Sequence, residues 1–273
     1  MELPFRLLTH VPWWTLVPAA LAVLAYVAPT LLGQRLAPQQ ARTALVAAWV
    51  LHALTLVADM LAPPPHFGFA LALSITAWLM LTMYLVEQQL YPRMRAAGTL
   101  SAMGALAVLL ALVFPGQALS GQQSAWMPLH LALGVASYGM FAAAVVHAGL
   151  MTRAERRMRL AAASDDSAPG VPLLTLERIM FRCVQVGFAL LSATLLVGML
   201  FGETLYGHAW RWDHKSVFSI LAWLLFAVLL LGRARFGWRG LRAVRMVYAG
   251  AALLLMAYAG SRFVLEVILG RGL

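Results

Sequence analysis

The stretch KSVFSILAWLLFAVLLLG, residues 215–232, carries a single charged side chain, at its first position. The hydrocarbon core of a bilayer is about 30 Å thick, and a helix of roughly 20 apolar residues crosses it. Seven other runs resemble this one, and the eight lie near 11–32, 43–62, 67–90, 97–114, 129–151, 178–202, 215–232 and 246–269. The runs lack the alternation of barrel strands and lipid excludes unpaired backbone, so they predict transmembrane helices.

The composition supports the same class. The chain of 273 residues is 62% hydrophobic and 11% charged, whereas a soluble domain is about half apolar and about a quarter charged. We therefore predict an all-α, polytopic integral membrane protein in which residues 1–273 form a single transmembrane domain. The segment 152–177 contains AAASDDSAPGVP, whose Ser, Asp, Gly and Pro content predicts a flexible cytoplasmic loop.

The basic residues predict the orientation. Fifteen of the 20 fall in alternate connections: Arg35, Arg42, Arg93, Arg95, Arg153, Arg156, Arg157, Arg159, Arg178, Arg182, Arg233, Arg235, Arg239, Arg242 and Arg245. The positive-inside rule places these connections in the cytoplasm and both termini in the periplasm. The first run is interpreted as a span rather than a cleaved signal. The net charge of +10 is then explained by topology and anionic lipid, without a nucleic-acid partner.

Several residue types limit the chemistry. Cys183 is the one cysteine, so the chain cannot form a CxxC pair, and a small buried apolar role is predicted for it. The sequence contains no G-x-S-x-G, no Walker A motif and no H-E-x-x-H, so we do not expect an enzyme. Glu87 is expected to reach water at the inner end of its helix. No role is predicted for His147.

One segment combines aromatic and polar side chains at the edge of a span. HAWRWDHK, residues 208–215, contains Trp210, Trp212, Asp213 and His214. Asp213 is suited to cap the helix that follows. One interpretation is an aromatic belt at the membrane interface. The other is a flat aromatic surface that, together with imidazoles, would suit a metal-bearing macrocycle.

WRWDHK followed by SILAW resembles the tryptophan-rich signature of the cytochrome c assembly proteins, the CcsA, CcmC and HemX group, and is closest to its YpjD-type bacterial inner-membrane proteins. MPLHLALGVASYGMF, residues 127–141, is similar to the family segment that supplies an outer His, here His130, and a Ser-Tyr pair, here Ser137 and Tyr138. Residues 173–203 and 257–272 are also similar, and WVLHALTLVADM fits an earlier span that places His52.

The resemblance implies a multi-pass protein of the bacterial inner membrane that holds haem b near the periplasmic face. It implies cofactor contacts by His130, Trp210, Trp212, Asp213, His52 and Tyr138, with His130 and His52 as haem-iron ligands. His214 stands where the family commonly has Pro, and we consider it as a substitute second ligand and a further cofactor contact. The family uses two outer and two intramembrane His, and two of these four are unmatched here. Leu231, Gly232 and Arg233 stand at one unmatched position, and LGRG stands at the other.

Two further function classes stay open. A regulatory or accessory subunit would keep the fold without haem, influencing haem synthesis or assisting a separate cation transporter, in contact with other inner-membrane proteins. A transporter that uses Asp59, Arg262 and Glu266 is the least supported, because the sequence shows neither paired discontinuous helices nor an inverted repeat. Arg262 and Glu266 are four residues apart on one helix face and are predicted to form a structural ion pair.

Overall fold

The computed structural model describes residues 13–32, 37–61, 66–91, 96–118, 126–161, 171–203 and 212–264. Its helices are α1 (Trp13–Leu31), α2 (Pro38–Leu61), α3 (Phe69–Leu90), α4 (Ala97–Val113), α5 (Met127–Ala161), α6 (Leu173–Leu200), α7 (His214–Phe236) and α8 (Gly240–Leu255). A π-helical turn, Met256–Gly260, and a last helical turn, Ser261–Phe263, follow α8. Two short strands, β1 (His66–Phe67) and β2 (Gln117–Ala118), pair antiparallel.

Six helices of the described segments are long and apolar enough to cross a membrane: α2, α3, α5, α6, α7 and α8 with its π-helical turn. The other two, α1 and α4, are shorter apolar helices. Large apolar side chains stay exposed along these helices, including Leu24, Leu106 and Leu196. Such exposure suits a hydrocarbon solvent, where an outward leucine costs nothing. The predicted all-helical membrane class is confirmed.

The chain divides into two compact units. Unit 1 comprises residues 1–85, 95–122 and 258–273, and within it α1 packs against both α2 and α4. Gly104 of α4 makes room for the buried ring of Tyr26, because a Cβ at this position would lie 2.7 Å from Tyr26 Cζ. The pairing of β1 with β2 joins the segment before α3 to the segment after α4. Gly116, directly before β2, has a φ of +82° that suits glycine, and a Cβ there would lie 2.6 Å from the backbone N of Gly68.

Unit 2 comprises residues 86–94 and 123–257. Here α5 packs along α6, α7 packs against α6 and α8, and α8 returns to α5. The rings of Phe141 and Phe226 stack with centroids 4.0 Å apart at the centre of this unit. Gly237, with a φ of 63°, ends α7 in a left-handed cap, so only three residues separate α7 from α8.

The connection between α5 and α6 is shorter than the predicted loop 152–177. Helix α5 continues to Ala161 and α6 begins at Leu173, while residues 162–170 lie outside the described residues. The α5 extension is rich in arginine and includes an Arg159–Glu155 ion pair at 2.7 Å, four residues apart. Such pairs stabilise a helix that projects into water, and apolar content alone does not reveal the extension.

Candidate functional site

His130 lies in the first turn of α5, half-buried against the last turns of α6. A Cβ at Gly198 would lie 3.3 Å from Cε1 of His130, so the glycine admits the imidazole ring. The ring hydrogen-bonds the backbone of Thr194, and the positive charge of Lys215 acts on it. The starts of α5 and α7 therefore lie at the same end of unit 2.

The residues before α7 supply the other part of this end. Trp212 is exposed, Asp213 is the N-cap, and His214 is the first residue of the helix and is exposed. The Asp213 carboxylate accepts a hydrogen bond of 2.7 Å from the backbone N–H of Ser216. The predicted cap is confirmed. We call His130, Trp212, Asp213, His214 and Lys215 the His130 site.

Local interactions keep Asp213 ionised. Burial raises the pKa of its carboxyl, but hydrogen bonds from the backbone and side chain of Ser216 and the charge of Lys215 outweigh burial. The net pKa of Asp213 lies below its usual value. A fixed negative charge thus stands at the positive end of the α7 dipole, beside a lysine.

Aromatic pairs hold α6 to its neighbours near this end. The rings of Trp126, just before α5, and Phe201, just after α6, stack 4.3 Å apart and 13° from parallel. Further along, Trp223 Nε1 donates a 2.8 Å hydrogen bond to Ser192 Oγ, and its ring stacks on Phe188. Trp126 carries no recognisable signal in the sequence, because its partner Phe201 is 75 residues away in the chain.

Tyr138, a predicted cofactor contact, forms a hydrogen bond between α5 and α8. Its hydroxyl donates a 2.6 Å hydrogen bond to the carbonyl of Leu254 on α8. Trp210, another predicted contact, lies outside the described residues. So do Glu266 and the side chain of Arg262, the predicted ion pair.

His52 is fully buried in unit 1 and both ring nitrogens are hydrogen-bonded. Nδ1 lies 2.9 Å from the hydroxyl of Tyr26, and Nε2 lies 2.8 Å from Oγ of Ser74. The hydrogen bonds from Tyr26 to His52 and from His52 to Ser74 join α1, α2 and α3. Iron ligation by His52 would require one of these hydrogen bonds to break.

The His130 site offers side chains of the kinds that haem requires. An axial ligand needs an imidazole nitrogen at a site open to a flat macrocycle. His130 and His214 are imidazoles at one end of the same unit, and the exposed indole of Trp212 precedes His214 by two residues. In residue type, these side chains are ones that can hold haem. His52 fits less well, because its nitrogens already serve the hydrogen-bond chain to Tyr26 and Ser74.

A second polar cluster lies deep in unit 2. Nε2 of His147 on α5 lies 2.9 Å from Oε2 and 3.1 Å from Oε1 of Glu87. Cys183 on α6 completes the group, and one donor atom from each residue lies within 4.8 Å of the others. Glu87 is 5% exposed, and His147 and Cys183 are each 2% exposed.

This cluster corrects the expectation that Glu87 reaches water. The carboxylate is instead satisfied by a histidine 60 residues away, on another helix. Sequence spacing carries no signal for such a pair, since the contact depends on how helices pack. The only available signal was the rule that an ionisable group inside a span needs a partner.

The Arg-rich end of unit 2 carries an ordered ion pair. Nη1 of Arg233 lies 2.6 Å from Oε1 of the buried Glu177, and the Arg239 guanidinium lies 3.9 Å from the same oxygen. The Arg233 guanidinium also covers the ring of Phe181, 4.5 Å from its centroid. Arg233, which stands at an unmatched family His position, thus links α7 to α6.

Comparisons with known proteins relate the chain to one family. It is 35% identical over 143 residues to the inner membrane protein YpjD of Escherichia coli K12, covering 52% of this chain and 53% of that protein. It is 26% identical over 163 residues to the cytochrome c biogenesis protein CcsA of Prochlorococcus marinus, covering 50% of this chain and 51% of that one. The CcsA of Trichormus variabilis is 31% identical over 99 residues, 36% of this chain and 27% of that protein.

The chain thus spans about half the length of the first of these relatives. No solved structure matches it significantly. The family model for the cytochrome C assembly protein matches residues 37–269, which include α2 to α8 and both polar clusters. This chain therefore belongs to the cytochrome C assembly protein family.

Proposed function

We propose that this protein is a haem-handling protein of the bacterial inner membrane that serves cytochrome c biogenesis by holding haem b at the His130 site. The observation that carries the proposal is the location of His130 at the end of unit 2 where α7 begins, with the Lys215 charge acting on its ring. Family membership supports the haem-related role, and the residues supply the local chemistry.

In this proposal each residue has a distinct part. His130 and His214 offer imidazole nitrogens to the iron, and Trp212, with Trp210, offers an apolar surface to the macrocycle. Asp213 fixes the start of α7, and Lys215 supplies a positive charge that suits a haem propionate. Bound haem supplies a redox-active iron and a group for transfer, whereas the protein binds and orients it and is not an enzyme.

The proposed topology has eight transmembrane helices and both termini in the periplasm. The arginine-bearing ends of α5, α6, α7 and α8 then face the cytoplasm, in agreement with the positive-inside rule. The His130 site lies at the opposite ends of α5, α6 and α7, so it faces the periplasm. Other inner-membrane proteins are the proposed partners for haem delivery.

Haem titration of the detergent-purified protein tests this proposal. We expect saturable one-to-one binding, weakened at least about tenfold by His130→Ala, since loss of an axial ligand removes an iron bond. The matched control is His66→Ala, because His66 lies in β1 outside every proposed site. Equal binding by wild type, His130→Ala and His66→Ala would refute ligation by His130.

The second candidate function is a regulatory or accessory subunit without haem. One observation favours it: His52, which fits a family span, uses both nitrogens for Tyr26 and Ser74. In that case the wild-type protein does not bind haem in the titration. If haem binds and His52→Gln leaves its spectrum unchanged, His52 serves packing while the His130 site keeps its cofactor.

A further inference from the structure

We propose that Glu87, His147 and Cys183 form a binding site for a borderline-soft divalent cation, and that this cation is Zn²⁺. This site is independent of the His130 site and of haem. Its members are on three helices, α3, α5 and α6, and none of them takes part in the proposed haem binding. We call it the Cys183 site.

The donor set suits zinc. Zn²⁺ is bound by thiolate sulfur, imidazole nitrogen and carboxylate oxygen, and a set of three protein ligands leaves one position for water. Thiolate selects Zn²⁺ and other soft metals over Mg²⁺ and Ca²⁺, which prefer oxygen alone. One donor atom from each of the three residues lies within 4.8 Å of the others, so a central ion requires only a modest approach of the side chains.

Because the site is buried, a polar atom in it that lacks a hydrogen-bond partner costs free energy. His147 is 2% exposed, and its Nδ1 is buried with no hydrogen-bond partner in the part of the chain that the structure describes. A buried polar atom of this kind calls for a partner, and coordination of a cation through Nδ1 would supply one. The thiol of Cys183 is also buried.

Charge balance favours the exchange of protons for a divalent ion. With one proton shared by the hydrogen-bonded His147–Glu87 pair and one on the Cys183 thiol, the three side chains have a total charge of zero. Binding of Zn²⁺ releases two protons, one from the His147–Glu87 pair and one from the thiol, and leaves a neutral imidazole, a carboxylate and a thiolate around the ion. The total charge is again zero, so the metal enters a low-dielectric interior without an uncompensated charge.

Co²⁺ is a suitable probe, because a Co²⁺–thiolate bond gives an ultraviolet charge-transfer band and tetrahedral Co²⁺ gives visible bands. The full-length protein, purified with a tag that lacks histidine and stripped with a chelator, is titrated with Co²⁺ and then with Zn²⁺. We expect one Co²⁺ per chain, a thiolate band, and loss of the band when Zn²⁺ is added. The chain has one cysteine, so this band can arise only from Cys183.

Three variants test the assignment. Cys183→Ala should abolish the charge-transfer band, and Glu87→Gln should weaken Co²⁺ binding more than about tenfold, because an amide oxygen is an uncharged ligand. His52→Gln is the matched control, a buried histidine of unit 1, and should leave the band unchanged. His130→Ala should also leave it unchanged while it alters haem binding.

Two results would overturn the proposal. One is a wild-type protein that gives no thiolate band with Co²⁺ although it elutes as a folded, monodisperse species. The other is a metal stoichiometry that Cys183→Ala, itself folded by the same criterion, leaves unchanged. A protein that binds haem without Co²⁺ would refute this site alone, and one that binds Co²⁺ without haem would refute only the proposed function.

Discussion

At the scale of single residues, small side chains decide where helices approach in unit 2. Gly250 on α8 faces the ring of Phe226, and a Cβ there would lie 2.4 Å from Cζ. Gly187 on α6 faces the ring of Phe141, and a Cβ at Gly187 would lie 3.1 Å from Cε1 of that ring. The sequence reveals these glycines inside apolar runs, but not which aromatic ring each one admits, since that depends on helix register.

Gly250→Ala should therefore destabilise the protein. The added methyl group collides with a buried, stacked ring, and such overpacking costs about 1–3 kcal/mol. Thermal unfolding in detergent measures the loss. Gly149→Ala is the control, because its Cβ would meet only the Tyr248 hydroxyl at 3.6 Å and alanine favours a helix. A Gly250→Ala protein as stable as Gly149→Ala would contradict the packing described.

Residue identity also shows the limit of sequence reasoning at the polar clusters. Asp213 was predictable as a cap because its partner is three residues away. The group formed by Glu87, His147 and Cys183 was not predictable, because its members are 60 and 36 residues apart along the chain. The rule for ionisable residues in membranes indicated that Glu87 needs a partner, but tertiary packing selects the partner.

At the scale of elements, the start of α7 depends on Asp213. Asp213→Ala should reduce the free energy of unfolding by about 1 kcal/mol, since the Ser216 N–H loses its acceptor. Asp213→Asn keeps an acceptor and should retain most of that stability at neutral pH. Unfolding of the three proteins at neutral pH measures the cap, and equal stability of wild type and Asp213→Ala would contradict it.

The same cap predicts a pH dependence. The pKa of Asp213 is lower in the folded protein than the value of 3.8 of the free side chain. Its contribution to stability is therefore fully present above that value and is lost as pH falls through the folded pKa. The difference in stability between wild type and Asp213→Asn, followed from neutral pH downward, should move in favour of Asp213→Asn in this acid range. A difference that is constant with pH would show that the carboxylate is not stabilised there.

In unit 1 a chain of hydrogen bonds ties α1 and α3 to α2. Tyr26→Phe keeps the ring but leaves Nδ1 of His52 without its 2.9 Å partner. An unsatisfied buried group costs about 1–3 kcal/mol, and we expect a loss of that size in thermal unfolding. Tyr248→Phe, at an exposed position of α8, should change stability by less than about 0.5 kcal/mol. Equal effects of the two substitutions would argue against this chain of hydrogen bonds.

At the scale of the whole molecule, the helical class follows from the sequence because lipid permits few alternatives. Each apolar run must satisfy its own backbone, so length and composition alone predict helices. The extension of α5 to Ala161 does not follow from apolar content, since the segment is rich in arginine and carries the Arg159–Glu155 ion pair. The arrangement of side chains within each unit requires the structure.

The proposed orientation leads to a labelling experiment. In a Cys183→Ala background, a cysteine introduced by Trp212→Cys should react with a membrane-impermeant maleimide added to intact spheroplasts. A cysteine introduced by Arg156→Cys, on the arginine-rich extension of α5, should react only after the membrane is permeabilised. Both sites are exposed, so both should be modified after solubilisation. The reverse pattern would invert the topology and place the His130 site in the cytoplasm.

The most direct test of the central claim is the visible spectrum of the protein purified from haem-replete cells, recorded before and after dithionite beside His130→Ala. Haem held by His130 predicts a Soret band and sharp α and β bands after reduction, all weaker in His130→Ala and unchanged in His66→Ala. A wild-type protein that is colourless as purified, and stays so after haem is added, would contradict the account and favour the accessory-subunit function.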